Sequence, residues 1–134
     1  MAIKKDNSVE LAYQSLTFFL DKYLALEDKE SDIELKRDLV ESFEYCIHVL
    51  REEAKMCVWV ASSIANEIKF TPKNNEEERE SLRRELEKMN NRREWLDKMQ
   101  ARVKGTAESL ELLDEVEAFS KANKEKRNKE KGED

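Results

Sequence analysis

The residues best suited to chemistry in this chain lie around its one histidine. Glu41, Glu44, His48 and Glu52 recur at intervals of three or four, which places them on one face of a helix. Di-iron bundles bind metal through such residues, but they use a Glu-x-x-His pair on each of two helices. Here the spacing is Glu-x-x-x-His, and the chain has no second histidine. We therefore predict a solvated helix face and no metal site.

The two cysteines, Cys46 and Cys57, do not show an arrangement for nucleophilic or redox chemistry. They fall on one predicted helix, about 16 Å apart along its axis, which is too far for a disulfide bond. Neither is paired in sequence with an activating base, and the chain has no CxxC motif. We expect both to be reduced residues of the core.

Other signatures of enzymes are also missing from the sequence. The 2 glycines stand at 105 and 132 and form no Gly-rich phosphate loop. Paired carboxylates are frequent only because Asp and Glu are frequent, with 31 in 134 residues. No motif is specific enough to indicate a family. We predict a protein that is not an enzyme and that uses no cofactor.

The composition favours an all-α fold. Two glycines and one proline supply too little turn chemistry for a many-stranded β protein, while 42% of the residues are charged. The N-terminus lacks the pattern of a secretory signal. The most apolar stretch, residues 56–61, is far shorter than the roughly 20 apolar residues that a membrane span needs. We predict a cytoplasmic protein without a membrane segment.

Apolar positions three and four residues apart predict four helices, at about 8–27, 32–69, 76–104 and 107–120. Capping-box patterns at residues 7–10 and 31–34 open the first two. Residues 71–75 contain the one proline and form the clearest break. Gly105 either ends the third helix or marks only a kink. Residues 121–134 have no aliphatic side chain larger than Ala122, which predicts a charged, frayed or disordered tail.

The predicted helices form a single domain over residues 1–120. The seams of the second and third helices are coiled-coil-like and match across a long antiparallel hairpin about Pro72, with Arg93 as the one charged seam position. Short links return the first and fourth helices to one end of this hairpin. The predicted fold is therefore four-helix bundle-like, with two shorter helices flanking the hairpin.

The hairpin tip, residues 56–86, extends past the flanking helices in this arrangement but is not polar outside. Met56, Val58, Trp59 and Val60 spread apolar surface round the second helix. Leaving such side chains in water forgoes about 1.5 to 3 kcal/mol each, and a patch of this kind usually marks an interface. The alternative is a kink near Ser62 that folds the tip onto its own base. The interface is predicted at five residues: Met56, Trp59, Val60, Ile64 and Met89.

Charge is distributed unevenly along the chain. The formal net charge is -6, which argues against general binding of polyanions. Residues 79–104, however, hold nine Lys and Arg against five acidic residues. Arg84, Lys88 and Arg92 form a row at i, i+4 spacing that suits phosphate contacts. The order of Glu80 and Arg84 suits a solvated, salt-bridged face equally well.

Two functions follow from these patterns. The main prediction is a protein-protein interaction or assembly protein, such as an adaptor, a complex subunit or a small inhibitor. It binds a protein partner or itself as a homodimer, through the apolar hairpin region. The alternative is a nucleic-acid-binding subunit of a nucleoprotein complex, which uses the basic face of the third helix.

Overall fold

A computed structural model describes residues 3–132 of the chain, which form four helices and the links between them. The helices are α1 (Ile3–Leu24), α2 (Ile33–Phe70), α3 (Glu76–Ser109) and α4 (Leu113–Gly132), and no strand occurs in this range. The prediction of an all-α, four-helix bundle-like fold is confirmed. Within the same range, no helix is both long enough and apolar enough to cross a membrane.

The described chain packs as two units. Unit 1 combines α1, α2 as far as Val49, and the chain from Ala101 onward. Unit 2 is Leu50–Gln100, an antiparallel hairpin of the remaining parts of α2 and α3. Both long helices therefore contribute to both units. That residues 1–120 form a single domain stays a prediction.

The core of unit 1 is built mainly on α2. Leu39, Phe43 and Cys46 have no exposed surface, as their spacing along one helix face predicts. The buried apolar side chains that the other elements add are Val9, Ala12, Leu16, Tyr23, Val103, Ala107, Leu112 and Val116. Each large apolar side chain that is removed from water contributes about 1.5 to 3 kcal/mol, so these contacts are the main stabilisation of unit 1.

Both ends of α1 differ from the prediction. The helix begins at Ile3, so Asn7 lies inside it and is not its N-cap; the side chain of Asn7 is outside the described residues. At the other end α1 stops at Leu24, short of residue 27. The Lys29 ammonium donates to the Leu24 carbonyl at 3.1 Å and to the Leu26 carbonyl at 2.6 Å. These bonds satisfy carbonyls that have no partner within the helix.

The start of α2 is capped one residue later than the capping box predicts. The Asp32 carboxylate accepts the Leu35 N–H at 3.0 Å, the bond that an N-cap makes to the third helical residue. Ser31 instead donates its hydroxyl to the Asp28 carbonyl at 2.6 Å. Asp32 is therefore the cap, and Ser31 belongs to the preceding turn.

The hairpin turn of unit 2 joins two continuous helices and is stabilised by a hydrogen bond across it. From Ile33 to Phe70, α2 is a single helix that passes through Ser62 without interruption. At the turn, Arg79 donates from its guanidinium to the Thr71 carbonyl at 3.2 Å and from its N–H to the Asn75 carbonyl, also at 3.2 Å. The first turn of α3 is thereby tied to the end of α2.

The end of α3 lies at Ser109, so the predicted stop at Gly105 is wrong. Beyond it, the Leu112 N–H bonds the Ala107 carbonyl at 2.9 Å and the Glu111 N–H bonds the Glu108 carbonyl at 3.0 Å. With Glu111 at a φ of 61°, this pattern is a Schellman motif. Leu112 and Ala107 are both buried, which supplies the apolar contact that accompanies the motif.

The last helix, α4, is longer than predicted and continues to Gly132 where we expected a frayed or disordered tail. Most of its side chains from Lys121 to Lys126 are exposed, so this part adds little to the core. Lys, Glu and Ala have high helix propensity and favour a helix without burial. The prediction of a frayed tail rested on the lack of large aliphatic side chains and left this propensity out. Residues 133 and 134 of the predicted tail lie outside the described residues.

Replacing Gly105 by Ala distinguishes the observed helix end from the predicted one. Gly105 lies inside α3, its φ is not positive, and an added Cβ would meet nothing within 4 Å. Gly105→Ala should therefore raise the free energy of unfolding by about 0.5 to 1 kcal/mol, because Gly costs about that much relative to Ala inside a helix. Urea unfolding followed by circular dichroism measures it.

The companion variant is Glu111→Gly. It should also stabilise the protein, by up to about 1 kcal/mol, because a left-handed conformation strains every residue with a side chain. A loss of stability in Gly105→Ala would instead mean that the helix ends at Gly105.

Candidate protein-interaction surface

Within unit 2, α2 has a buried face and an exposed one. Leu50, Ala54 and Cys57 are buried at the seam of the hairpin. Trp59 is two residues beyond Cys57, and therefore about 200° further round the helix. Its side chain is 75% exposed. The largest aromatic side chain of this helix thus lies on the face turned away from the seam.

A set of exposed residues surrounds Trp59 at helical spacing, and we call it the Trp59 face. Its members are Glu52, Lys55, Met56, Trp59, Ser62, Ser63 and Asn66, and all are exposed. Val58 and Val60 lie at its edges and are 40% and 36% exposed. An open groove of about 350 Å³ runs beside Trp59 and is lined by Lys55, Val58 and Ser62 among others.

The charges of the Trp59 face are balanced. Its two ionised groups are Glu52 and Lys55, whose carboxylate oxygen and ammonium are 3.8 Å apart on the same helix. Both side chains are more than half exposed, so the pair contributes little to stability. The face therefore has no net charge, and its apolar members are Met56 and Trp59.

The five residues predicted as an interface divide between the two faces of the hairpin. Met56, Trp59 and Val60 are exposed, and Met56 and Trp59 belong to the Trp59 face. Ile64 and Met89 are half-buried on the seams of α2 and α3. The sequence analysis considers Ser62 only as the site of a kink and does not include Ser62 or Ser63 in the interface, although a helical projection centred on Trp59 places them beside it.

Unit 2 has few means of covering this surface itself. Within Leu50–Gln100 only four apolar side chains are buried: Leu50, Ala54, Cys57 and Leu96. A layer of two helices buries one face of each and leaves the other outside, whereas stable domains pack two or more layers round a core. The exposed Trp59 face is the consequence on the α2 side.

The predicted basic row on α3 does not form a uniform phosphate-binding edge. Arg84 is exposed, but the Lys88 ammonium lies 3.6 Å from the Glu85 carboxylate. Arg92 is half-buried, with its guanidinium carbon 5.3 Å from the centre of the Trp95 ring. It is Arg92, and not the exposed Arg93, that occupies the charged seam position.

Other basic residues of α3 are also matched by acids on the same helix. Arg83 pairs with Glu80 at 3.3 Å and Lys98 with Glu94 at 3.5 Å. These pairs are typical of a solvated helix face. Nucleic-acid binding along α3 stays a prediction, with less support than the charge count alone suggested.

The residues around His48 do not form the fully solvated face that we predicted. Glu41 and Glu52 are exposed and His48 is half-buried, but Glu44 is only 5% exposed. Glu44 lies in the part of α2 that belongs to unit 1. Among the residues whose side chains the structure describes, no group of three or more His, Cys, Asp or Glu is arranged to hold a metal ion.

A second groove, of about 670 Å³, lies in unit 1 between the start of α2 and the start of α4. Lys36 is one of the residues that line it, and the Lys36 ammonium lies 3.4 Å from a Glu115 oxygen and 3.6 Å from a Glu30 oxygen. Burial opposes the charge of Lys36, but the two carboxylates outweigh it and raise its pKa. This ion cluster ties α4 to α2, which is a structural role.

Both cysteines are free and buried. Burial raises the pKa of the Cys46 thiol to about 11. Burial also raises the pKa of Cys57, although the positive charge of Arg92 acts in the opposite direction. A nucleophilic cysteine needs a lowered pKa, so neither thiol is suited to catalysis.

Known proteins give no further guide to these surfaces. Comparison of the chain with protein-family models, with curated proteins and with solved structures gave no match. Other large apolar side chains are also exposed, among them Ile33 at 77% and Phe70 at 81%. The Trp59 face is the candidate for binding because its tryptophan lies beside three further exposed apolar side chains, Met56, Val58 and Val60.

The native protein should protect its thiols from modification. At pH 8 the raised pKa of Cys46 makes its thiolate about a hundredfold scarcer than in an unfolded chain. Labelling with a disulfide reagent should be slow in the native state and should reach two thiols per chain in guanidinium chloride. Ser81→Cys, at an exposed position of α3, provides a fast-reacting control. Labelling of Cys46 at the rate of that control would contradict its burial.

Proposed function

We propose that this protein is a non-enzymatic assembly protein that self-associates through the Trp59 face of α2. The observation that carries the proposal is the 75% exposure of Trp59 beside Met56, Val58 and Val60, which are also exposed. Burying such side chains contributes about 1.5 to 3 kcal/mol each. Trp is also among the residues that most often dominate the binding energy of interfaces.

The architecture of unit 2 supports the same proposal. A two-helix hairpin gains a second layer when another helical surface packs on its outer face. A second copy supplies that layer through an identical face, which is how two-fold symmetric dimers form. The mechanism is then the completion of a helix bundle between subunits.

The chemistry of the face favours a protein partner over nucleic acid. Its one Glu and one Lys add no net charge, whereas binding to phosphates depends on an excess of Lys and Arg. An adaptor, a subunit of a larger complex or a small inhibitor acts through such a surface. The two free thiols suit a reducing compartment, and we expect the protein to act in the cytoplasm.

The test is solution mass by light scattering on the wild type and on Trp59→Glu. The wild type should have twice the chain mass of 15.9 kDa. Trp59→Glu should be a monomer at the same concentration, because a charge would have to be desolvated at the centre of the interface. Its secondary structure by circular dichroism should be unchanged, since residue 59 is largely in water within one chain.

Ile33→Glu is the matched control for this test. Ile33 lies on the same helix and is 77% exposed, and an acidic residue in the first turn of a helix is favourable. Ile33→Glu should remain dimeric. A monomeric wild type, or a dimer that both variants disrupt equally, would contradict the proposal.

A further inference from the structure

The Trp59 face is divided by side-chain size. On the N-terminal side of Trp59 lie Lys55 and Met56, which are long, and on the C-terminal side lie Ser62 and Ser63, which are short. One turn further out, Glu52 and Asn66 stand at equal distances from Trp59. The long half and the short half are therefore arranged symmetrically about the tryptophan.

An antiparallel pair of α2 helices brings each long half against a short half. If the two-fold axis passes at Trp59, helical geometry sets Met56 opposite Ser63 of the second copy, and Lys55 opposite Ser62. Long side chains then fill the space that short ones leave, as close packing of helices requires.

The centre of the pair is also accommodated in this arrangement. The two Trp59 side chains meet at the axis. The groove bounded by Lys55, Val58 and Ser62 leaves room beside each tryptophan for the indole of the other copy. Aromatic pairs favour offset or edge-to-face contact of this kind.

A parallel pair is disfavoured by both size and charge. With its two-fold axis along the helices, it sets Met56 against Lys55 of the second copy and Ser62 against Ser63, so that contacts are crowded in one half and missing in the other. It also brings the two Glu52 side chains, which lie near the centre line of the face, towards each other, and like charges that face one another across an interface are repulsive. The antiparallel pair instead sets Lys55 and Glu52 against uncharged residues.

We propose that the partner on the Trp59 face is a second copy of this chain in antiparallel orientation, with Trp59 at the two-fold axis and Lys55 opposite Ser62. This inference rests on the proposed self-association and adds its orientation and register. The long and short halves together make the face complementary to itself.

Ser62 offers a variant whose effect on the dimer depends on the orientation of the pair. Its neighbours at three and four residues on α2 are Val58, Trp59, Ala65 and Asn66, so a charge placed there meets no charge on its own helix. In the antiparallel pair Ser62→Glu faces Lys55 of the second copy, and two such ion pairs form. In a parallel pair the new glutamate faces Ser63 of the second copy and meets no cation.

The experiment measures the dimer dissociation constant by sedimentation velocity at low salt. Ser62→Glu should tighten the dimer by about two- to tenfold, the effect of two exposed ion pairs, and Ser62→Lys should weaken it. Combining Ser62→Glu with Lys55→Ser should abolish the gain. All three changes lie at exposed positions and should leave the fold intact.

The outcomes separate the two proposals. A wild-type dimer that Ser62→Glu weakens or leaves unchanged would overturn the antiparallel register and leave self-association standing. A gain in Ser62→Glu that survives Lys55→Ser would also overturn the register, because the new charge would then pair elsewhere. A wild type that is monomeric throughout would overturn the proposed function itself.

Discussion

Two packed helices can bury only one face of each, and the exposed surface of unit 2 follows from this constraint. Unit 1 surrounds its part of α2 with segments of the other three helices and leaves Phe43 and Leu39 without exposed surface. Unit 2 has only α3 to set against α2, so one face of α2 is buried and the face opposite is not. Trp59 occurs on that opposite face, where a chain acting alone gains nothing from its apolar area.

Most of the ion pairs among the described residues join side chains of the same helix. Glu80 with Arg83 and Glu94 with Lys98 pair within α3, and Lys36 joins Glu115 across unit 1. Exposed pairs of this type add little stability but keep the surface solvated. The high content of charged residues therefore needs no charged ligand to explain it. The Trp59 face differs because it carries few charges and a large aromatic side chain.

Periodicity alone predicts the helices and most of the core, because a residue such as Phe43 must share a face with its neighbours at three and four positions. It also predicts that apolar residues at the hairpin tip exceed what the seam can bury. The helix ends were harder to predict. Gly105 indicates either a helix end or a kink, whereas the left-handed residue at the end of α3 is Glu111, and nothing in the type of that residue signals this conformation. Likewise, the apolar residues of this part of α2 spread over more than one helix face, so the pattern does not show whether Ile64 lies on the seam of the hairpin or on its exposed face.

The most direct test of the central claim is the accessibility of Trp59 as a function of protein concentration. In a Trp95→Phe variant, Trp59 is the one remaining tryptophan, and acrylamide quenching of its fluorescence reports its contact with water. Self-association through Trp59 predicts strong quenching in dilute protein and weak quenching at concentrations where the dimer forms. Strong quenching at every concentration, with Trp59 in water throughout, would contradict it.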